Sequence, residues 1–344
     1  MDFNYLNNQI HGNPSTSTQP KLSICVITYN HEAYIEKCLE NILHQEVNFE
    51  YEIIIGEDHS TDQTAQIVKK YADMYPKLIK AYIRPKNVGA KINFLHCFFD
   101  CQGEYIVHIE ADDYFTDPHK LQCQVDFLEN HPEASACFHN AEIIYEDETA
   151  RKPELINRKD QKKWIETQDF FVEKETWFMA TASVMMRKKF VKSLPEWFFN
   201  CKSGDIPLYS ILAEQGPIGY IDKIMSVYRK NSNGMSYTDH THSIEFIKNR
   251  IFMYAHINEY TKGKYQYLIK AILFDYYILG IHCSKIKKSV FLKLYYLWLA
   301  YRQIPPKNKK QVFSDIKLHV MESETRLSYL NFRSKLNSIL GRSN

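Results

Sequence analysis

Four short apolar runs recur along the first third of the chain at nearly constant spacing. They are LSICVI (22–27), YEIIIG (51–56), LIKAYI (78–83) and EYIVHI (104–109), and their starts lie 29, 27 and 26 residues apart. Runs this short, rich in β-branched residues and separated by helix-length segments, read as parallel strands joined by crossover helices. The chain is therefore expected to be α/β, with a mostly parallel sheet flanked by helices. The intervening segments agree. In HEAYIEKCLENILHQ, Tyr34, Ile35, Cys38, Leu39 and Ile42 fall on one helical stripe. STDQTAQIVKKYADMYP opens on Ser60, which suits an N-cap, and is closed by Pro76.

The chemistry lies in the residues just after each run. The first run leads into TYN (28–30), the second into EDHSTD (57–62), the third into RPKNVG (84–89) and the fourth into EADD (110–113). Each cluster alone has an ordinary explanation. EDHSTD reads equally well as a turn and helix cap, NVG as a turn and ADD as a solvated loop. Together they stand at four strand ends, and in an open parallel sheet ligands bind outside the carboxyl ends of the strands. Adjacent carboxylates each disfavour ionisation of the other. A pocket that gathers Glu110, Asp112 and Asp113 therefore calls for a cation and something anionic beyond it.

Four stretches, ICVITYNHEAYIEKCLENILHQ, YEIIIGEDHSTDQTAQIV, NVGAKIN and GEYIVHIEADDYFTDPHKLQCQVDFLENHPE, together resemble the family-2 glycosyltransferases, whose nucleotide-sugar-binding fold is called GT-A. The resemblance is close over about residues 21–140. It implies that Asp112 and Asp113 match the family's DxD-like element, the first near the ribose and the second near a Mn²⁺ or Mg²⁺ ion. It also implies that Asp58, with Glu57 beside it, recognises the base. Thr28, Tyr29 and Asn30 are expected around the base and ribose, with Asn87 and Lys91 further round the nucleotide.

A second stretch, CKSGDIPLYSILAEQGPIGYIDKIMSVYRKNSNGMS (201–236), resembles the acceptor half of the same family. There Asp205 matches the catalytic base. It precedes the apolar pattern of Leu208, Ile211 and Leu212, so it also suits a helix N-cap. Asn231 stands where the family carries a histidine that completes the metal shell; an amide oxygen is a ligand that hard ions accept. Arg229 or Lys230 is the alternative, meeting a phosphate. The resemblance implies an inverting, hexosyltransferase-like enzyme of bacterial surface-glycan or polysaccharide biosynthesis. Its donor is a nucleotide-sugar, UDP-linked by default, and its acceptor a glycan or lipid-linked hydroxyl.

Two rival readings stand beside this one. A nucleotidyltransferase on a similar sheet would favour a Gly-rich phosphate loop after the first strand, and ITYNHEAY has no glycine. A non-catalytic nucleotide-sugar-binding module would not need Asp112, Asp113 and Asp205 together. No GxxxxGK[ST] stretch occurs, which excludes a P-loop enzyme.

Composition bounds the rest. The 8 cysteines are scattered without a CxxC pair, so neither a disulfide framework nor a zinc site is expected, and Cys97 and Cys101 read as buried thiols on one helix face. Residues 1–20 lack a basic n-region and an apolar h-region; they read as a disordered leader on a cytoplasmic protein. Residues 21–240 are expected to form the GT-A domain, and 241–344 a helical, basic C-terminal region. Residues 146–171 read as a solvated loop, and 176–190 as a pair of core strands, with stacking on an acceptor sugar as the alternative role for Trp177.

The net charge of +2 hides an asymmetry. From Lys262 onward there are 16 Lys+Arg against 4 Asp+Glu, leaving 27 against 37 in the remainder. The acidic body argues against nucleic acid as the partner of the basic region. Residues 267–310 combine aromatics with lysines that interrupt every apolar run, so no spanning helix is expected. Two readings stay open for them: a helical hairpin packed within the protein, or peripheral attachment to an anionic inner membrane face.

Overall fold

The computed structural model describes residues 3–14, 19–146, 151–157, 159–171, 178–230, 243–283 and 289–304. They fall into two compact units, one within Met1–Phe170 and Glu175–Asp239, the other within Phe171–Lys174 and His240–Asn344.

The first unit is built on one mixed sheet. Its centre holds β1 (Gln9–His11), β2 (Leu22–Thr28), β3 (Tyr51–Glu57), β4 (Ile79–Ile83) and β5 (Tyr105–Glu110), in the order β1-β4-β3-β2-β5. The last four are parallel neighbours, with Ile24 opposite both Ile53 and Val107. All seven residues of β2 are buried, which is why that run carries no polar alternation. Crossover helices α1 (Ile35–Leu43), α2 (Thr64–Met74) and α3 (Ala90–Asp100) connect these strands. Ile35, Cys38, Leu39 and Ile42 of α1 enter the core, as the stripe predicts, while Tyr34 stays outside the helix and half-buried.

The sheet continues beyond β5. It adds β6 (Tyr114–Phe115), β7 (Ala136–Tyr145), β8 (Glu154–Leu155), β9 (Trp164–Ile165), β10 (Met185–Arg187) and β11 (Ile218–Lys230) in the order β5-β10-β7-β11-β6; β8 pairs with β7 and β9 with β11. Helices α4 (Lys120–Asn130) and α5 (Asp205–Ala213) complete the unit. β10 runs antiparallel to both β5 and β7, so the parallel nucleus gives way to a mixed half.

Three local readings differ from expectation. Ser60 does not cap α2, which starts at Thr64. Its Oγ instead accepts the Asn30 N–H, while the Asp62 carboxylate takes the Thr64 N–H. Within the expected leader, Gln9–His11 pairs antiparallel with β4, whose outer edge would otherwise leave its backbone groups unmet. Gly12 comes next at φ +71, where a Cβ would meet the Ile79 carbonyl oxygen at 2.0 Å. The described part of 176–190 holds 3₁₀ turns at Thr181–Ser183 and Lys188–Phe190 and the single strand β10; Trp177 lies outside the described residues.

The second unit contains α6 (Ile244–Tyr260), α7 (Gln266–Ile281) and α8 (Val290–Gln303). Ser243 and Ser289 cap α6 and α8, their Oγ atoms accepting the N–H of Phe246 at 3.1 Å and Leu292 at 3.3 Å. Ile244 and Ile247, Phe274, Ile278 and Ile281, and Tyr296, Ala300 and Ile304 form its core. Among the described residues no helix is long and apolar enough to cross a membrane.

Candidate active site

The strand order reverses at β2. The chain proceeds to β3 and β4 on one side of it and returns to place β5 on the other. Such a switch point opens a crevice at the carboxyl ends of the strands. Thr28 ends β2, opposite Glu57 at the end of β3, and Glu110 ends β5 opposite Ile27. Four buried polar atoms here have no hydrogen-bond partner among the described residues: Thr28 Oγ1, Glu57 Oε2, His31 Nδ1 and Asp112 Oδ1. Buried polar atoms are nearly always paired, and four orphans from adjacent strand ends mark a place shaped for something else.

The loops on the β3 side are tied to one another. Asn30, at φ +55, accepts the Thr61 N–H at 2.8 Å and gives its own N–H to Ser60 Oγ at 2.9 Å. Asp58 accepts the N–H groups of Val88 at 2.8 Å and Gly89 at 2.9 Å, stapling the loop after β4 to the end of β3. Burial raises the Asp58 carboxyl, against the lowering effect of those two donors. Asn87 is exposed and caps the same turn by accepting the Gly89 N–H; Tyr29 is 42% exposed at the mouth of the crevice.

Behind this loop, Arg84 is buried and donates to Asn93 Oδ1 at 2.8 and 3.0 Å. Asn93 in turn donates to the Gly56 carbonyl at 2.7 Å. A Cβ at residue 56 would lie 2.2 Å from Asn93 Oδ1, so glycine is what lets α3 approach β3.

The acids gather on the β5 side. Glu110 is pushed up to about 8 by burial and then by the charges of Asp112 and Asp205. Tyr209, one turn along α5 from Asp205, is raised by burial and then by Asp205 and Glu110. Asp205, in the first turn of α5 and 92 residues from Asp113 in sequence, is thus close enough for its charge to act on Glu110 at the end of β5. Asp113 is held well above its ordinary value by burial and then by Asp112.

Arg229 braces this cluster. Its backbone N–H donates to Asp113 Oδ1 and its Nε to the Asp112 carbonyl, both at 2.8 Å. Its guanidinium also pairs with Glu146, which accepts the Tyr34 hydroxyl through its other oxygen. That hydrogen bond, with burial behind it, pushes the Tyr34 hydroxyl up to about 12. Lys91, which burial lowers, donates to the carbonyls of Phe198 (at 2.9 Å) and Cys201, in the segment leading to α5. Asn231 lies outside the described residues.

His31, Tyr34 and Glu146 join the site without a motif of their own in the sequence. His31 directly follows TYN, and burial lowers its imidazole against the charges of Asp112 and Asp62, so its signal was adjacency to a motif already read. Tyr34 reads as core from its helical position, and Glu146 sits in a charged stretch that gives no local sign of an inward-facing carboxylate.

Comparisons with known proteins bear on the family and the fold. The family model described as "Glycosyl transferase family 2" matches residues 23–194. An uncharacterized protein of Mycobacterium tuberculosis is 35% identical over 231 residues, covering 67% of this chain and 64% of that protein, so the match spans less than two thirds of the relative's length. The Staphylococcus aureus poly(ribitol-phosphate) beta-N-acetylglucosaminyltransferase TarS is 30% identical over 119 residues, 32% of this chain and 19% of TarS. Among solved structures, S. aureus TarS 1–349 in complex with UDP-GlcNAc superimposes with a TM-score of 0.62 at 17% identity, covering 94% of this chain and 92% of that one. The mannosyltransferase PcManGT of Pyrobaculum calidifontis, in complex with GDP-Man and Mn²⁺, gives a TM-score of 0.51 at 14% identity over 98% of this chain and 91% of its own. The switch-point crevice, the paired acids after β5 and the match over half the sequence lead to one conclusion: this chain belongs to glycosyl transferase family 2.

Proposed function

We propose that the protein is an inverting glycosyltransferase that moves a sugar from a nucleotide-sugar, UDP-linked, to an acceptor hydroxyl in surface-glycan biosynthesis. The observation that carries this reading is the set of four unpartnered buried atoms at the ends of β2, β3 and β5, beside a cluster of acids that includes Asp205 from the other half of the fold. The UDP-GlcNAc held by the TarS neighbour supports the choice of nucleotide.

The residues fit a divalent cation. Asp112 has a buried carboxylate oxygen without a partner, and Asp113 stands beside it. A hard ion held by two carboxylates draws its further ligands from phosphate and water. Asp112 and Asp113 would hold Mn²⁺ or Mg²⁺, with Asn231 as a further candidate ligand. When bound, the ion would supply countercharge for the diphosphate leaving group.

The chain's own residues do the rest. Thr28, Tyr29, Asn30, Glu57 and Asp58 line the base and ribose side, with Asn87 around it, while Lys91 holds the carbonyls of Phe198 and Cys201 ahead of α5. Asp205 accepts the proton of the acceptor hydroxyl as its oxygen attacks the anomeric carbon on the face opposite the leaving group, and a single displacement inverts the configuration. Arg229 acts through Asp112 and Asp113. The acceptor is a glycan or a lipid-linked hydroxyl, reached from the cytoplasmic side by a chain peripherally attached to an anionic membrane surface.

The test is nucleotide release by purified protein from a panel of nucleotide-sugars with Mn²⁺, followed by calorimetry with the free nucleotides. Turnover of one donor is expected. Binding without turnover over a panel of acceptors would favour the binding-module reading, and no binding at all would overturn both.

A further inference from the structure

The second unit presents a helix face that is the reverse of what a solvated helix shows. On α8, Phe291, Tyr295, Trp298 and Arg302 succeed one another at spacings of four, three and four residues, so they form one stripe, and Leu294 borders it. Phe291 is 86% exposed, Leu294 58%, Tyr295 53% and Trp298 51%. The opposite face is the packed one: Tyr296, Ala300 and Ile304 lie in the core with α6 and α7.

The rotation of α8 about its axis is fixed by that packing. The Tyr296 ring fills the space beside Gly280 of α7, where a Cβ would come within 2.5 Å of the ring. With Tyr296 inward, Phe291, Tyr295 and Trp298 must face outward. They are also ordered among themselves. Tyr295 and Trp298 stack with ring centroids 6.1 Å apart, and the Arg302 guanidinium lies 4.9 Å over the Trp298 ring. A contiguous apolar patch of this kind marks a surface that something covers.

Charge says what covers it. α8 contains no Asp or Glu. In sequence it is bracketed by two lysine clusters, Lys285, Lys287 and Lys288 before it and Lys307, Lys309 and Lys310 after it, within a region of 16 basic and 4 acidic residues. A second copy of the chain would bring two such regions face to face, which like charges oppose. An anionic lipid surface meets both requirements: it attracts the lysines, and its headgroup boundary accommodates Trp, Tyr and Phe with their apolar bodies inward. Fourteen residues are too few to span a bilayer, so the helix would lie in the plane of the interface.

We infer that the Phe291–Leu294–Tyr295–Trp298 face of α8 inserts into the headgroup layer of an anionic membrane. This deepens the membrane-attachment part of the proposed function and rests on that part alone; it needs no step of catalysis to be right.

The experiment uses the full chain with phosphatidylcholine vesicles, with and without phosphatidylglycerol, at low and high salt. Wild type is expected to co-sediment with the anionic vesicles and to be partly released by salt. The double variant Phe291→Ser, Trp298→Ser should partition about tenfold or more weakly while keeping nucleotide-sugar binding. In a Trp164→Phe, Trp177→Phe, Trp197→Phe background, the emission of Trp298 should shift to the blue on adding anionic vesicles, which tests the face even if the double variant does not fold. Recovery of wild type in the supernatant with anionic vesicles at low salt would overturn the inference. So would equal vesicle binding by the double variant, or an unshifted Trp298 emission on bound protein. A concentration-dependent dimer that the double variant abolishes, with no vesicle binding, would assign the face to a second copy instead. Loss of nucleotide-sugar binding in the double variant, with vesicle binding of the wild type intact, bears on the variant's folding and leaves the fluorescence to decide.

Discussion

The backbone N–H of Arg229 donates to Asp113 Oδ1 at 2.8 Å, so the end of β11 fixes the carboxylate that comes after β5. The same residue's Nε holds the Asp112 carbonyl, and its guanidinium is occupied by Glu146. One residue thus aims both acids from behind. Arg229→Ala keeps the backbone hydrogen bond and removes the brace. We expect it to weaken Mn²⁺ binding about 10–100-fold, the usual cost of losing an orienting partner behind a metal ligand, and to leave metal-free UDP binding unchanged. Glu146→Gln should be milder, because an amide still accepts from Arg229. If Arg229→Ala weakens UDP binding in the absence of metal, the side chain meets the donor phosphate instead.

The acids themselves give a harsher expectation. Asp113→Ala and Asp112→Ala should each reduce turnover to background, and chelation should do the same to wild type, reversibly on adding Mn²⁺. Calorimetry of Mn²⁺ binding to each variant supplies a readout independent of rate. Full turnover by metal-free protein in excess EDTA would remove the cation from the mechanism.

Asp205→Asn preserves the shape of the side chain and its place in the first turn of α5, but the amide cannot take a proton. The rate should fall by about two to four orders of magnitude with donor affinity intact, the span expected of a general base. A helix-terminal role alone would instead lower the melting temperature and leave the rate near wild type.

Legibility in the sequence was a matter of range. The parallel nucleus was readable because its strands are buried along most of both faces, so their residues are largely apolar, and because the acids sit at the ends of those runs. Asp205 was reachable only through resemblance, since nothing in the composition around SGD tells a cap from a base. The mixed half of the sheet was not readable: β10 has three residues and β8 and β9 two each, too few for any periodicity to show. Glu146 and Tyr34 escaped because their meeting is a tertiary event between residues 112 apart. Ser60 misled because its hydroxyl found Asn30 rather than the helix it precedes in sequence.

Lys120 offers a pH test of the core beside the site. It is fully buried, donates to Gln124 Oε1 at 2.7 Å and sits 4.0 Å over the Phe115 ring. Burial lowers it to about 7 from the ordinary 10.5. Between those values the unfolded chain holds a proton that the native state has released, so this lysine makes stability rise with pH through that window. Lys120→Met abolishes the contribution. The stability of wild type relative to the variant should rise from pH 7 toward pH 10, by up to about 1.4 kcal/mol per pH unit. Glu110, raised to about 8, acts with the opposite sign from its ordinary range up to that value, but it is common to both proteins and cancels in the difference. Urea titrations across the range measure it, and a constant difference would show that Lys120 keeps its proton throughout.

Lys91 separates the two halves of the site. Sequence resemblance puts it near the nucleotide, while its ammonium donates to the carbonyls of Phe198 and Cys201, just ahead of the helix that carries Asp205. These two placements predict different kinetics. If Lys91 serves the donor, Lys91→Met raises the dissociation constant for the nucleotide-sugar and leaves the rate at saturation alone. If it anchors the segment before α5, the variant leaves two carbonyls without their charged donor, at a cost of about 1–3 kcal/mol of stability, and Asp205 loses its fixed position. Donor affinity should then hold while kcat falls, because misplacing a base by about an ångström is enough to slow proton transfer strongly. The geometry favours the second outcome, and calorimetry with the donor beside steady-state rates decides it. Unchanged kcat with weakened donor binding would return Lys91 to the nucleotide.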